Sequence, residues 1–163
     1  MVKQVSNRNW HKHWMQSAYH DASMSTCASP RKVGAVFVRD NRELISGFNG
    51  VPTKYPHPKE CIRKLLGIPS GEKLHLCGCS HAEINGITNA ARYGVSLLGS
   101  TVYCTSKPCD MCAGALANVG VVEVIYDVDF PSQLVDDIFK HAGIICKHIS
   151  EYCDFEVYNE LGQ

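Results

Sequence analysis

The sequence has no excess of charge of either sign. It carries 16 Lys plus Arg against 16 Asp plus Glu over 163 residues, a formal net charge of zero. A surface dedicated to nucleic acid normally shows a basic excess, so a stable polynucleotide partner is not expected. A small anion gripped by one or two local cations remains compatible with that balance. Long apolar runs are missing too. None approaches the roughly 18 residues that suggest a membrane span. The opening stretch from Met1 to Asn9 is polar and lacks the apolar centre of a secretory signal, so a cytoplasmic protein without a membrane partner is expected. There is no internal repeat and no low-complexity tract, and the length suits one domain spanning residues 1–163. Cysteine is the exception to this plainness. There are nine, an odd number, in a chain that is 45% hydrophobic and can build a core without disulfide staples. Reduced thiols that serve a metal are the better reading.

Strand and helix signals alternate. Trp10, Trp14 and Ala18 repeat every four residues and predict a helix over Asn7 to Ser23, with a core-facing stripe. Val33 to Val38 reads as a strand, Asp40-Asn41 as a turn, and Glu43 to Phe48 as the second strand of a hairpin. Gly50 to Ser80, rich in Pro, Gly, Cys and His, reads as mostly loop, and a loop that long is usually functional or externally stapled. Helices are expected over His81 to Tyr93, ending at Gly94, over Cys109 to Val119, ending near Gly120, and over Pro131 to His141. Strands are expected at Thr101 to Thr105, Val121 to Tyr126 and Ile144 to Ile149. The second half therefore implies parallel crossovers and an α/β sheet covered by helices. Residues after Ser150 carry no clear signal.

Two short motifs carry the chemistry. The first is His81-Ala82-Glu83 and the second is Pro108-Cys109-Asp110-Met111-Cys112. One imidazole and two thiolates can hold Zn²⁺ by three bonds and leave a fourth position open, which is the arrangement of catalytic zinc. Such zinc brings the pKa of water down to about 7. Glu83 is too close in sequence to His81 to be a good further ligand, and its expected role is general acid/base catalysis. Residues i and i+2 point to different faces in mid-helix, so His81 and Glu83 cooperate only at a helix end. Cys109 and Cys112, at i and i+3, share a face in a first turn, where a helix N-terminus also favours thiolates. Either motif alone would be a weak signal, since a lone C-x-x-C is also a redox pair or half a structural site. The two together match the H-x-E…P-C-x-x-C signature of zinc-dependent nucleobase deaminases.

With these motifs the sequence resembles the cytidine deaminase superfamily, and within it the deoxycytidylate deaminases of phages and bacteria. The resemblance runs from about Trp10 to Tyr126. It is carried further by Lys32-Val33-Gly34-Ala35-Val36, Gly47-Phe48-Asn49-Gly50-Val51-Pro52, Ile68-Pro69-Ser70-Gly71-Glu72, Ala90-Ala91-Arg92-Tyr93-Gly94 and Val124-Ile125-Tyr126. It implies a three-layer α/β/α fold with a mixed five-stranded sheet between helices. It implies substrate contacts at Asn49 (sugar), Ala82 and Tyr126 (base and phosphate). It further implies an effector site near Phe48, Asn49 and Gly50, coupled to the active centre through Arg92. Family members of this kind are often hexamers activated by dCTP with Mg²⁺ and inhibited by dTTP. Taken without the resemblance, Gly47 and Gly50 read equally as a strand-ending turn, and Arg92 as a helix-end cation.

Some members of the family hold a second, structural zinc. Cys27 and Cys61 match such positions, and His75-x-Cys77 adds a close pair, giving an expected set of Cys27, Cys61, His75 and Cys77. The match departs from the usual pattern: Cys27 lies one residue farther from Lys32, Pro56-His57-Pro58 lacks an expected cysteine, and Cys79 is an extra thiol. His57 or Cys79 are therefore alternative ligands. Cys104, Cys146 and Cys153, in or near apolar strands, read as small core residues.

The activity implied is hydrolytic deamination of dCMP to dUMP and ammonia. Deamination of another cytosine or guanine derivative, such as cytosine, cytidine or dCTP, is the alternative within enzymes, and a zinc-stapled nucleic-acid-binding module is the alternative outside them.

Overall fold

The computed structural model describes residues 9–69, 72–130 and 132–157. Helix α1 (Trp10–Ser23) is capped by Asn9, whose side chain accepts a hydrogen bond from the Lys12 N–H at 3.1 Å. The expected start at Asn7 lies outside the described residues. Strands β1 (Gly34–Arg39) and β2 (Arg42–Phe48) form an antiparallel hairpin. Asp40 and Asn41 turn it with φ of 53° and 54°, the doubly positive geometry that suits a two-residue hairpin loop.

The expected loop from 50 to 80 contains a one-turn helix, α2 (Ile62–Leu65), and a 3-10 turn at Leu74–Leu76. Helix α3 (Ala82–Tyr93) ends at Gly94 in the left-handed region, as a helix-stopping glycine should. Strand β3 (Thr101–Ser106), helix α4 (Asp110–Asn118), strand β4 (Glu123–Val128), helix α5 (Gln133–Ala142) and strand β5 (Ile145–His148) follow. Pro131, the expected start of α5, lies outside the described residues. Strand β4 begins two residues later than the apolar run suggests. Val121 is spent on closing α4: its N–H reaches back to Leu116 O while Gly120 N–H bonds Ala117 O. That pairing is the usual way to satisfy the last carbonyls of a helix.

The five strands are ordered β2-β1-β3-β4-β5. β1 is antiparallel to both neighbours, whereas β3, β4 and β5 run parallel. Successive strand residues face opposite sides. Ala35, Phe37, Val102, Cys104 and Val124 pack with Ala90 of α3, Leu116 of α4 and Phe139 of α5. Val36, Val38, Tyr103 and Ile125 pack with Trp14, Met15 and Ala18 of α1. The result is a mixed sheet with helices on both faces, as expected. Each large apolar side chain buried in these layers contributes about 1.5–3 kcal/mol.

One close approach sets the position of α3. A Cβ on Gly47 would lie 2.4 Å from Ala82 O and from Gly86 N. Glycine there lets β2 run directly against the first turn of α3, the turn that carries His81 to Glu83.

Candidate active site

His81 and Cys109 are the N-cap residues of α3 and α4, both with extended backbone. Each side chain therefore leaves its helix at the start rather than from a lateral face. Crossover connections bring the two starts together, and His81 Nδ1 lies 3.3 Å from Cys109 Sγ and 3.4 Å from Cys112 Sγ. The edge between nitrogen and sulfur on a tetrahedral zinc is about 3.5 Å, given bonds of about 2.0 and 2.3 Å. The three donors thus fit a zinc ion without rearrangement, through Nδ1 of the imidazole.

The electrostatics agree with metal-ligand chemistry. A hydrogen bond from the Cys112 thiol, then burial working against it and a further bond to His81, leave Cys109 held down at about 4. The same bond, together with burial, pushes Cys112 up. Their shared hydrogen bond favours the thiolate at Cys109 over that at Cys112. His81 is raised, chiefly by its hydrogen bond with Cys109, while burial and the positive charge of Arg63 oppose the rise.

Glu83 is 3% exposed. Burial pushes its carboxyl above the ordinary carboxylate range, offset in part by its own backbone N–H and by His81. A carboxyl so placed is suited to general acid/base work. Ala82, the first residue of α3, has a backbone N–H with no intrahelical acceptor.

These groups face a cavity of about 110 Å³ whose lining includes Asn49, His81, Ala82, Glu83, Cys109 and Phe130. Asn49 is buried, and both ends of its amide hold the turn before β1. Its Nδ2 donates to Arg31 O at 3.0 Å and its Oδ1 accepts from Val33 N at 2.8 Å. Three cations also line the cavity, Arg31, Arg63 and Lys107. Lys107 is paired with Asp136 at 2.8 Å and with Asp129 at 4.0 Å. Sequence reasoning singled out none of the three. Lys107 stands directly before Pro108 and was findable from that position, whereas Arg63 reaches the cavity only through the path of the long segment.

Other expected site residues lie around this centre. Tyr126 is not among the residues lining the cavity: Lys107 stands over its ring at 5.5 Å and His148 meets it edge-on, with ring centroids 5.5 Å apart. Phe48 O accepts from Asn85 Nδ2 at 2.7 Å, and Gly50 pairs with Ser80 across an isolated antiparallel bridge. Arg92 sits in the last turn of α3 with its guanidinium 5.9 Å from the Tyr93 ring. It is ten residues beyond Ala82, about 15 Å along the axis.

A second group of metal-type donors forms, with a corrected membership. The thiols of Cys27, Cys77 and Cys79 lie within 4.8 Å of one another. Cys61, buried at the N-cap of α2, and His75, inside the 3-10 turn, are outside that group. The physical reason is periodicity. The chain leaves the 3-10 turn extended at Cys77, and residues i and i+2 of an extended chain share a side, so Cys79 joins Cys77 where His75 does not. The Cys27 and Cys77 sulfurs are 3.8 Å apart, close to the sulfur–sulfur edge of about 3.8 Å around a tetrahedral zinc. Cys27, Cys77 and Cys79 line the same cavity as His81 and Cys109. Cys104 is fully buried in the sheet and burial raises its thiol well above the usual value, which suits a core residue.

The model of the cytidine and deoxycytidylate deaminase zinc-binding region matches residues 8–128. The chain belongs to this family. Among deoxycytidylate deaminases, that of Saccharomyces cerevisiae is 33% identical over 151 residues, covering 87% of this chain and 45% of the yeast protein. That of Enterobacteria phage T2 is 31% identical over 183 residues, covering 85% of this chain and 96% of the phage protein. The chain thus spans less than half the length of the yeast relative and nearly all of the phage one. The dCMP deaminase of cyanophage S-TIM5, solved in complex with dCMP and dUMP, superposes with a TM-score of 0.70 at 26% identity, over 91% of this chain and 98% of the other. Among the described residues, no helix of this family member is long and apolar enough to cross a membrane.

Proposed function

We propose that this chain is one deaminase domain over residues 1–163 that hydrolyses the 4-amino group of dCMP, giving dUMP and ammonia. The observation that carries the reading is the meeting of His81 Nδ1 with two cysteine sulfurs beside a buried Glu83, on one cavity. The names of the phage and yeast relatives, and the ligands of the cyanophage structure, support dCMP as the substrate.

His81, Cys109 and Cys112 would hold the zinc, which when bound supplies Lewis acidity that readies water for attack near neutral pH. The remaining work belongs to side chains and backbone. Water adds to C4 of the cytosine ring, the C4–N4 bond breaks, and ammonia leaves. Glu83 takes a proton at its carboxylate, delivers one to N3, and helps protonate the departing amine. The same carboxyl serves each transfer, with burial raising it above the ordinary carboxylate range. Ala82 N–H is available to a base carbonyl, and Asn49, at the cavity wall, to the sugar. Tyr126 acts from behind Lys107 rather than on the cavity wall.

The thiols of Cys27, Cys77 and Cys79 hold a second, structural zinc in this reading, with a fourth ligand drawn from the long segment, for which Cys61, His75 and His57 are the candidates. Closing that site staples a stretch otherwise poor in core. Regulation belongs to the same reading: dCTP with Mg²⁺ activates and dTTP inhibits, through the turn at Phe48, Asn49 and Gly50 and through Arg92, within a homo-hexamer in the cytoplasm. The bridge from Gly50 to Ser80 and the bond from Asn85 to Phe48 O support it, because they join that turn to both flanks of His81.

The test is turnover of cytosine, cytidine, deoxycytidine, dCMP and dCTP, each alone, with dCTP–Mg²⁺ and with dTTP. Preference for dCMP, raised by dCTP–Mg²⁺ and lowered by dTTP, is expected. Equal turnover of deoxycytidine and dCMP would remove the nucleotide reading while leaving the deaminase standing.

A further inference from the structure

Asn49 is held at its backbone as well as at its amide. Its N–H donates to Val33 O at 3.0 Å, and its carbonyl accepts from Ser25 Oγ at 2.7 Å. Val33 N takes one lone pair of Oδ1 and Arg31 O takes one N–H of Nδ2. That leaves one N–H and one lone pair of the amide for a ligand in the cavity that Asn49 lines. Resting on the reading of Asn49 as the sugar contact, the matching group on a deoxyribose is the 3′-hydroxyl, which both donates and accepts.

Ser25 lies two residues beyond the end of α1, and its N–H closes that helix on Ala22 O at 3.0 Å. It is buried, as Asn49 is. Its hydroxyl proton goes to Asn49 O, and the same oxygen accepts from Cys27 N at 3.3 Å. Lys32 Nζ donates to Ser25 O at 3.3 Å and so holds the backbone from which the hydroxyl projects. The next residue closes the contact. A Cβ on Gly50 would lie 2.5 Å from Thr26 Oγ1, so residues 25–26 run directly against residues 49–50. Removing the Ser25 hydroxyl takes a partner from a buried carbonyl at Asn49 and from a backbone N–H at Cys27. Buried polar groups are rarely left unpaired, so the Asn49 turn shifts to find another partner.

We propose that Ser25 is a positioning residue for substrate binding: through Asn49 O it sets the amide where it meets the 3′-hydroxyl of the deoxyribose. Ser25 is not among the residues lining the cavity, so it acts through Asn49 rather than on the substrate. It is not one of the ligands His81, Cys109 and Cys112 and it is not the proton carrier Glu83. Its contribution therefore falls on binding and leaves the chemical step alone.

The experiment uses the full chain with metal bound. Steady-state parameters are measured for dCMP and for its 2′,3′-dideoxy analogue, which lacks only the 3′-hydroxyl, with wild type and Ser25→Ala. Metal content and melting temperature are recorded for each. In wild type, KM for the analogue should exceed that for dCMP about 5- to 20-fold, the scale of one buried hydrogen bond. In Ser25→Ala, KM for dCMP should rise by about the same factor and KM for the analogue by less than about twofold, with kcat within about threefold for both. Ser25→Cys, with a weaker donor in similar volume, should shift the ratio of the two KM values in the same direction and carries the test should Ser25→Ala fail to fold. Equal rises for the two substrates would mean that Ser25 merely supports its turn, and would overturn the inference while the sugar contact of Asn49 stands. Wild-type parameters in the variants, or a fall in kcat with KM unchanged, would overturn it as well. A wild-type enzyme that turns over dCMP but does not distinguish it from the analogue would remove the sugar contact and the inference together, with the deaminase reading intact.

Discussion

Gly50 and Ser80 exchange both of their backbone hydrogen bonds, Gly50 N to Ser80 O at 3.1 Å and Ser80 N to Gly50 O at 2.8 Å. This bridge ties the turn after β2 to the residue immediately before His81. The chain of effects is local. Backbone pairing fixes where α3 starts, and the start of α3 fixes where the imidazole meets the two thiols.

Ser80→Pro removes the N–H that closes the bridge and should lower kcat/KM about 3- to 10-fold, the scale of one net hydrogen bond. Ser80→Ala keeps the N–H and should stay near wild type. Steady-state kinetics on the pair decide the matter, and equal values for both would show that the bridge does not position His81.

Gly47→Ala tests the contact between β2 and α3. The added methyl meets the backbone at Ala82 O and Gly86 N, both at 2.4 Å, so neither side can yield by rotating a side chain. Overpacking of this kind should cost about 1–3 kcal/mol in urea unfolding, and activity should fall with it because the displaced turn carries Glu83. Unchanged stability and turnover would show that the sheet edge accommodates the methyl.

Alkaline pH should destabilise the fold. Burial raises the phenols of Tyr19, Tyr103 and Tyr152, helped at Tyr19 by Asp127 and at Tyr152 by Glu123. Burial works to lower Lys107, but its bond to Asp136 and the negative groups around it together raise it. In each case the folded chain holds the proton more tightly than the unfolded one. The stabilisation is complete below the unfolded values, about 10 for Tyr and 10.4 for Lys, and is lost as pH rises through the folded ones. The urea midpoint should therefore drop between about pH 9 and about pH 11, and Tyr19→Phe should shallow that slope. A midpoint independent of pH over that range would contradict the argument.

Two zinc ions per chain are expected in metal-replete protein, and Cys79→Ser should leave one, with residual turnover and a lower melting temperature. Elemental analysis and thermal melts provide the check. Two ions retained in Cys79→Ser would exclude Cys79 as a ligand.

Much of this was legible in the residues themselves. The spacings of His81-Ala82-Glu83 and Cys109 to Cys112 make sense only at helix starts, and both His81 and Cys109 cap helices. The alternation of strands with helices in the second half marked a sheet covered by helices. The long segment was less legible, because no periodicity records which way a loop travels. Arg63 therefore gave no sign of reaching the cavity, and the pairing of Cys79 with Cys27 depended on the 3-10 turn at Leu74–Leu76. Tyr126 carried a correct strand assignment, yet the cation that stands over its ring, Lys107, is a matter of tertiary placement.

The central claim is that Glu83 moves the protons while His81, Cys109 and Cys112 hold the metal. Turnover of dCMP by Glu83→Gln, with zinc quantified in the same sample, tests it most directly. The account predicts a loss of at least about 10²–10⁴-fold in kcat, the range of general acid/base catalysis, with the metal at that site retained. Near-normal turnover by a variant that keeps its zinc would contradict it.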